Sequence, residues 1–314
     1  MPGPVHAYAA FARGLRPTLE RHFPGRPVVC WSQPDEFAAG IGEVEYLLAL
    51  KPPRGHWAAA RRLRLVQVLG AGVDGVLPAP DLAPSVALAN QRGMSAEPMA
   101  EFALSLVLAL LKRLPAFVSA QHEHAWRPAL PARAAGLTLG ILGLGAIGEA
   151  LAERATALGM RVIGTQRAPK AHPAVAKIEP PERTDAVLAE ADVVVLLLPL
   201  TAETRGMFAR ERFAQLKPGA YLVNLARGGI VDEAALVDAL REGRLAGAAF
   251  DVFASEPLPA SSPLWDAPNL WITPHMAGGF PDILDETTRL FAENVARLER
   301  GEAVRNAIDR ARGY

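Results

Sequence analysis

The chain has 314 residues, half of them apolar, with 33 Lys plus Arg against 33 Asp plus Glu and a formal net charge of zero. That length suits two domains of ordinary size, and the charge balance argues against nucleic acid or an anionic membrane surface as the main partner, since both select clustered positive charge. Lone Cys30 cannot form an internal disulfide or a Cys-based metal cluster and suits a reducing compartment. The opening MPGPVHAYAA lacks the pattern of a signal peptide, and the most apolar run, FALSLVLALL, is shorter than the roughly 20 residues that span a bilayer. A soluble, cytoplasmic protein with no metal site is expected.

Along the chain, short β-rich runs alternate with helical patterns, the signature of parallel sheets covered by helices. The first series is PVVCW (27–31), EYLLAL (45–50), LRLVQVL (63–69) and SVALAN (85–90). After the third run comes LGAGVDGV (69–76). The amides around Ala71, Gly72 and Val73 offer an anion nest for a substrate carboxylate; an ordinary turn is the alternative. Ser95 is expected to cap a helix over 96–113. That helix is apolar on nearly every face, so it should be covered on all sides, between domains or between subunits.

A second series follows: LTLGILG (137–143), MRVIGT (160–165), DVVVLLLP (192–199), AYLVNLA (220–226), GAAFDVF (247–253) and LWITP (270–274). These near-continuous apolar runs suit strands buried on both faces. They place a doubly wound α/β domain at 95–282. A last helix near 281–299 should pack back on the first half, making that domain discontinuous, 1–94 with 283–314.

GLGAIG puts glycines at 143, 145 and 148, directly after a strand and at the start of a helix that carries Ala146, Ile147, Leu151 and Leu158 and stops at Gly159. This context suits the dinucleotide fingerprint: a tight turn, close approach of backbone to a pyrophosphate, and a helix N-terminus aimed at its charge. The residue that meets the adenosine ribose lies roughly 20 positions on, which reaches Gln166. An acid there would repel a 2′-phosphate; Gln166 does not, and Arg167 and Lys170 can pair with one. NADP is therefore expected over NAD.

In open α/β sheets ligands sit outside the carboxyl ends of the strands. Three successive runs each deliver an ionisable residue there: Arg227 in ARGGIVDE, Glu256 in ASEP and His275 in HMAGG. Their types suit hydride transfer to a carbonyl. A histidine can protonate the developing alkoxide. A neighbouring carboxylate orients the ring and favours its charged form, and an arginine binds a carboxylate bidentately while polarising the adjacent carbonyl. Together they describe reduction of a 2-keto acid to a 2-hydroxy acid.

GLGAIG, LPLTAETRGMF, LKPGAYLVNLARGGIVDEAALVDAL, GAAFDVFASEPLP and LWITPHMAG, in this order, resemble the successive signature blocks of the D-isomer-specific 2-hydroxyacid dehydrogenases. The resemblance implies a Rossmann cofactor domain beside a flavodoxin-like substrate domain, a cleft that closes on binding, and a homodimer using the apolar helix after residue 95. It matches Arg227 to the family's substrate-binding arginine, Glu256 to its supporting acid and His275 to its acid/base histidine. Gly72 and Val73 match its carboxylate loop, and Pro199, Thr204, Ala226, Asp251 and Gly278 match positions that line the dinucleotide. EPLPASSPLW and TQR look most like the glyoxylate and hydroxypyruvate reductases, which implies an NADPH-dependent reductase making the D-2-hydroxy acid. The alternatives are another 2-hydroxy acid or phosphite on the same scaffold, or a nucleotide-sensing binding protein.

Overall fold

The computed structural model describes residues 3–310, so residues 1–2 and 311–314, at the ends of the expected first domain, lie outside it. Two compact units make up the described chain: one runs to Met94 and resumes at Phe280, the other is Ser95–Gly279.

The first unit holds β1 (Val5–Tyr8), α1 (Arg16–His22), β2 (Val28–Trp31), α2 (Pro34–Gly40), β3 (Tyr46–Ala49), β4 (Leu65–Val68) and β5 (Ala87–Ala89). Its strands are all parallel in the order β2-β1-β3-β4-β5, which is the flavodoxin-like arrangement. α2 starts with Pro34 in its first turn and a capping box between Gln33 and Glu36, a combination that satisfies the free amides of a helix start.

The second unit begins with α3 (Ala96–Leu111) and α4 (Leu114–His122), followed by β6 (Thr138–Leu142), α5 (Ala146–Ala157), β7 (Arg161–Thr165) and β8 (Lys177–Glu179). It continues through α6 (Thr184–Glu190), β9 (Val193–Leu196), α7 (Arg210–Gln215), β10 (Ala220–Asn224), α8 (Glu233–Arg241), β11 (Leu245–Phe250) and β12 (Leu270–Ile272). The parallel order β12-β11-β10-β9-β6-β7-β8 reverses direction of growth between β6 and β9, the switch point where such sheets bind ligands. Helices α3 and α5 cover one face, sharing a core with Leu139, Ile141, Val193 and Val195. Helices α6, α7 and α8 cover the other, against Leu142, Val194, Leu196 and Phe250. The chain then returns to the first unit as α9 (Ile283–Glu299), whose Phe291 and Val295 pack with Leu19 of α1.

Several local expectations change. The helix expected over 96–113 ends at Leu111, because Arg113 takes a left-handed conformation with φ of 57° and turns the chain by 65° into α4. Within the single chain, Glu101 and Ser105 on α3 are exposed and Phe102, Leu104 and Leu108 are half-buried. Among the described residues no single helix is long and apolar enough to cross a membrane. Ser95 occupies the N-cap position, yet its hydroxyl donates to the Gly278 carbonyl at 3.0 Å rather than accepting from the helix. Leu158 is 40% exposed, while α5 buries Leu151, Ala152 and Ala155 and stops at Gly159, φ 78°, as left-handed C-terminal glycines do.

Candidate active site

Strands β10, β11 and β12 are neighbours in the sheet, and the loops that leave their carboxyl ends carry Arg227, Glu256 and His275. His275 Nδ1 lies 2.8 Å from Glu256 Oε2. A carboxylate only accepts, so Nδ1 carries the proton and Nε2 is the nitrogen left to exchange one. The second carboxylate oxygen, Glu256 Oε1, accepts the Phe253 amide at 3.1 Å, which fixes the acid on its own loop. The His275 side chain is 47% exposed and that of Glu256 22%, so the ring is reachable while its partner is sheltered.

The loop bearing His275 is itself held from beneath. His275 has φ of 55°, an uncommon conformation for a residue with a Cβ, and such strain persists only where surroundings enforce it. Asp251, 1% exposed, supplies the enforcement: Oδ1 accepts the Thr273 hydroxyl at 2.6 Å and the Met276 amide at 2.9 Å, and Oδ2 accepts the Ala277 amide at 2.9 Å. The resemblance had set Asp251 among residues lining the dinucleotide; its carboxylate is engaged with the His275 loop. Its place directly after the β11 run is a signal for a loop anchor.

Arg227 is half-buried, and one guanidinium nitrogen donates to the Ala226 carbonyl at 2.7 Å. Its turn is shaped by buried Asn224, whose Oδ1 accepts the Ala226 amide at 3.1 Å. Next in the chain, Gly228 lies so close to the Phe253 backbone that a Cβ would sit 1.8 Å from the Phe253 carbonyl carbon. Only glycine lets the Arg227 and Glu256 loops touch in this way. Gly228 escapes residue-by-residue reading because its neighbour, Phe253, lies on another loop.

At the switch point, Gly143 turns with φ of 104°, and a Cβ there would meet the Leu197 carbonyl at 2.8 Å. Gly148, on the first turn of α5, packs against the Gly143 carbonyl, which a Cβ would reach at 2.7 Å. Gly145 differs: a Cβ there would meet nothing within 4 Å. The space above Gly145, exposed Ala146 and half-buried Ile147 is thus open where the start of a twelve-residue helix favours an anion. The residues present fit a dinucleotide pyrophosphate.

Gln166 follows β7 with both ends of its side-chain amide engaged: Nε2 donates to the Leu144 carbonyl at 2.7 Å and Oε1 accepts the Lys170 amide at 2.9 Å. It ties the glycine loop to the turn that carries Arg167 and Lys170, both exposed. Arg167 also faces Glu203. The Thr201 hydroxyl holds the Glu203 carboxyl below the usual carboxylate range, with its own backbone amide and then the Arg167 guanidinium acting in the same direction. Beyond β9, Thr204 donates to the Pro199 carbonyl at 2.6 Å. Ala226 is buried, and Gly278 is half-buried with its carbonyl on Ser95.

In the first unit, Ala71, Gly72 and Val73 follow β4, where Gly70 has φ of 152°. Val73 is buried, Gly72 half-buried and Ala71 exposed. Trp265, 52% exposed, donates through Nε1 to the Pro259 carbonyl at 2.9 Å, and the Met94 sulfur accepts the Thr287 hydroxyl at 3.8 Å.

The family model described as D-isomer specific 2-hydroxyacid dehydrogenase, NAD binding domain, matches residues 104–277. The chain is 36% identical over 303 residues to glyoxylate/hydroxypyruvate reductase A of Serratia proteamaculans (strain 568), covering 94% of each sequence. Among solved structures it is similar to a D-isomer specific 2-hydroxyacid dehydrogenase of Xanthobacter autotrophicus Py2 in complex with NADPH and MES, at 39% identity and TM-score 0.87 over 100% of both chains. It is also similar in shape to the NADPH-dependent glyoxylate/hydroxypyruvate reductase of Sinorhizobium meliloti in complex with NADP and sulfate, at 32% identity, TM-score 0.89 and 100% coverage of both. The chain belongs to the D-isomer specific 2-hydroxyacid dehydrogenase family.

Proposed function

We propose that this enzyme reduces a small 2-keto acid, glyoxylate or hydroxypyruvate, to the D-2-hydroxy acid with NADPH as hydride donor. The observation that carries this reading is the 2.8 Å contact between His275 Nδ1 and Glu256 Oε2 at the ends of adjacent strands. When bound, the reduced nicotinamide supplies the hydride. His275 Nε2–H gives its proton to the carbonyl oxygen as negative charge develops there, and Glu256 keeps the ring in that tautomer and balances its positive charge. Arg227 pairs with the substrate carboxylate and polarises the neighbouring carbonyl, and the amides of Gly72 and Val73 take the remaining carboxylate lone pairs.

The glycine loop and the start of α5 hold the pyrophosphate. At the end of β7 no acid repels a 2′-phosphate, and Arg167 and Lys170 supply positive charge on a turn fastened by Gln166. Support for NADPH comes also from the two solved relatives that contain NADPH or NADP. The enzyme works in the cytoplasm, in keeping with its single reduced Cys30. It is a homodimer that uses α3, the apolar helix after residue 95, together with the segment that follows it, where Leu114, Val118, Trp126 and Leu130 are 46%, 48%, 96% and 93% exposed, an apolar set that suits a second copy. Sedimentation equilibrium should give twice the chain mass; a monomer at micromolar concentration would remove that assignment.

The test of the activity is the initial rate of cofactor oxidation with glyoxylate and with hydroxypyruvate, NADPH against NADH at equal concentration. NADPH should be consumed faster on at least one of them. Faster use of NADH would overturn the reading of Gln166 and Arg167. No consumption of either would overturn the substrate class and bring phosphite oxidation or a sensing role forward.

A further inference from the structure

The loop after β4 offers three amides, those of Ala71, Gly72 and Val73, that donate to no acceptor among the described residues. What aims them can be worked out from the carbonyls. The Gly70 carbonyl accepts the Gln91 amide at 3.0 Å, and the Ala71 carbonyl accepts Asn90 Nδ2 at 2.6 Å. In a trans peptide the C=O and the following N–H point in opposite directions within one plane. Pinning the Ala71 carbonyl inward on Asn90 therefore turns the Gly72 N–H outward, and pinning the Gly70 carbonyl does the same for the Ala71 N–H. Val73 closes the far end, its side chain buried and its carbonyl accepting the Val76 and Leu77 amides at 2.9 and 2.7 Å.

Asn90 is well placed for this. It is 4% exposed, and its Oδ1 accepts the Arg92 amide at 3.1 Å, so neither end of its side-chain amide is idle. Its backbone is clamped by Asn306: the Asn90 amide donates to the Asn306 carbonyl at 3.2 Å, and Asn306 Nδ2 donates to the carbonyls of Asn90 and Arg92 at 3.3 and 3.0 Å. Asn306 does so from a left-handed conformation, φ 53°, which asparagine tolerates better than most residues. The neighbouring Gln91, 3% exposed, is fastened to Thr287 of α9 at 2.6 Å. The loop thus rests on a rigid polar seam built from β5, α9 and the segment after it.

We propose that Asn90 is a positioning residue for the substrate carboxylate: its grip on the Ala71 carbonyl sets the direction of the Gly72 N–H. This rests on the reading that the Gly72 and Val73 amides receive the carboxylate. A carboxylate bound in the same way before and during hydride transfer contributes uniformly, so its misplacement raises KM and leaves kcat.

The experiment compares the wild-type enzyme with Asn90→Ala, Asn90→Asp and Asn306→Gly, measuring kcat and KM for glyoxylate, KM for NADPH, and the inhibition constant of oxalate as a carboxylate probe. Asn90→Asp keeps the shape and the acceptor for Arg92 but loses the donor to Ala71. Both Asn90 variants should raise the glyoxylate KM and the oxalate constant together by about tenfold or more, the loss expected for one hydrogen bond to a charged group. kcat and the NADPH KM should stay within about twofold. Asn306→Gly keeps the left-handed backbone and the backbone bond to Asn90 and removes only the side-chain half of the clamp, so it should give a smaller change of the same kind even if an Asn90 variant fails to fold. A fall in kcat at unchanged KM, or parallel changes in the glyoxylate and NADPH KM values, would overturn the proposal. If the wild-type enzyme reduces no keto acid, the underlying activity reading fails; if it does and the variants match it, only the role of Asn90 fails.

Discussion

The loops at the carboxyl ends of the two sheets are held by different chemistry. In the second unit a buried carboxylate, Asp251, collects three hydrogen bonds from the loop that carries His275. In the first a neutral amide, Asn90, holds a loop of bare backbone amides. The difference follows from what each loop presents. A loop that displays an imidazole gains from negative charge beneath it, while a loop that meets a carboxylate, as proposed for the Ala71–Val73 amides, would lose by it. The interiors differ too. In the first unit His6 Nδ1 and Gln67 Nε2 are buried with no hydrogen-bond partner among the described residues, an arrangement that costs stability.

Three measurements bear on this contrast. The largest effect belongs to the displayed group itself: His275→Asn should lower kcat by about 10²- to 10⁴-fold while NADPH affinity, read by fluorescence titration, stays nearly constant. Full turnover in that variant would remove His275 from the reaction. Next comes its support. Asp251→Ala leaves the Thr273 hydroxyl and the Met276 and Ala277 amides without their acceptor, and should lower stability by about 3 kcal/mol and kcat alongside it; an unchanged denaturation midpoint would show that the loop holds itself.

The smallest effect is in the first unit. Burial of His6, 4% exposed and 4.9 Å from the Trp31 ring, lowers its pKa from 6.5 to about 4. The folded state therefore resists a proton that the unfolded chain accepts. Stability from the neutral ring is full above pH 6.5, declines as pH falls, and is lost below about 4, with an upper bound of about 3 kcal/mol. Melting curves between pH 7.5 and 4.5 should fall more steeply for the wild type than for His6→Phe. Parallel curves would show that His6 takes up its proton without cost.

Much of this arrangement was legible in the sequence because strands buried on both faces announce themselves as apolar runs. VVVL of β9 is fully buried, and the residue that follows such a run lands on the functional edge. Strands β1 and β8 lack that signal. β1 is VHAY, whose His6 interrupts the run, and β8 is KIE, a half-buried edge strand with two charges. The apolar run 192–199 outlasts β9 because Leu197 and Leu198 remain apolar after the chain leaves the sheet at Leu196. The partners of Asn90, Asp251 and Gly228 are the larger gap. Each depends on a contact set by tertiary placement: Asn90 with Asn306, Asp251 with Ala277, Gly228 with Phe253. No local pattern in the sequence marks such pairs.

The Ser95 hydroxyl meets the Gly278 carbonyl, joining the first residue of the 95–279 unit to its penultimate one. A continuous segment whose two ends meet can be lifted out and spliced into a surface turn of another protein with only short joints. The half that binds the dinucleotide is therefore a portable cassette, transferable as one piece of coding sequence. Its companion has no such freedom, being written on both sides of the insertion and complete only after the last helix has been translated.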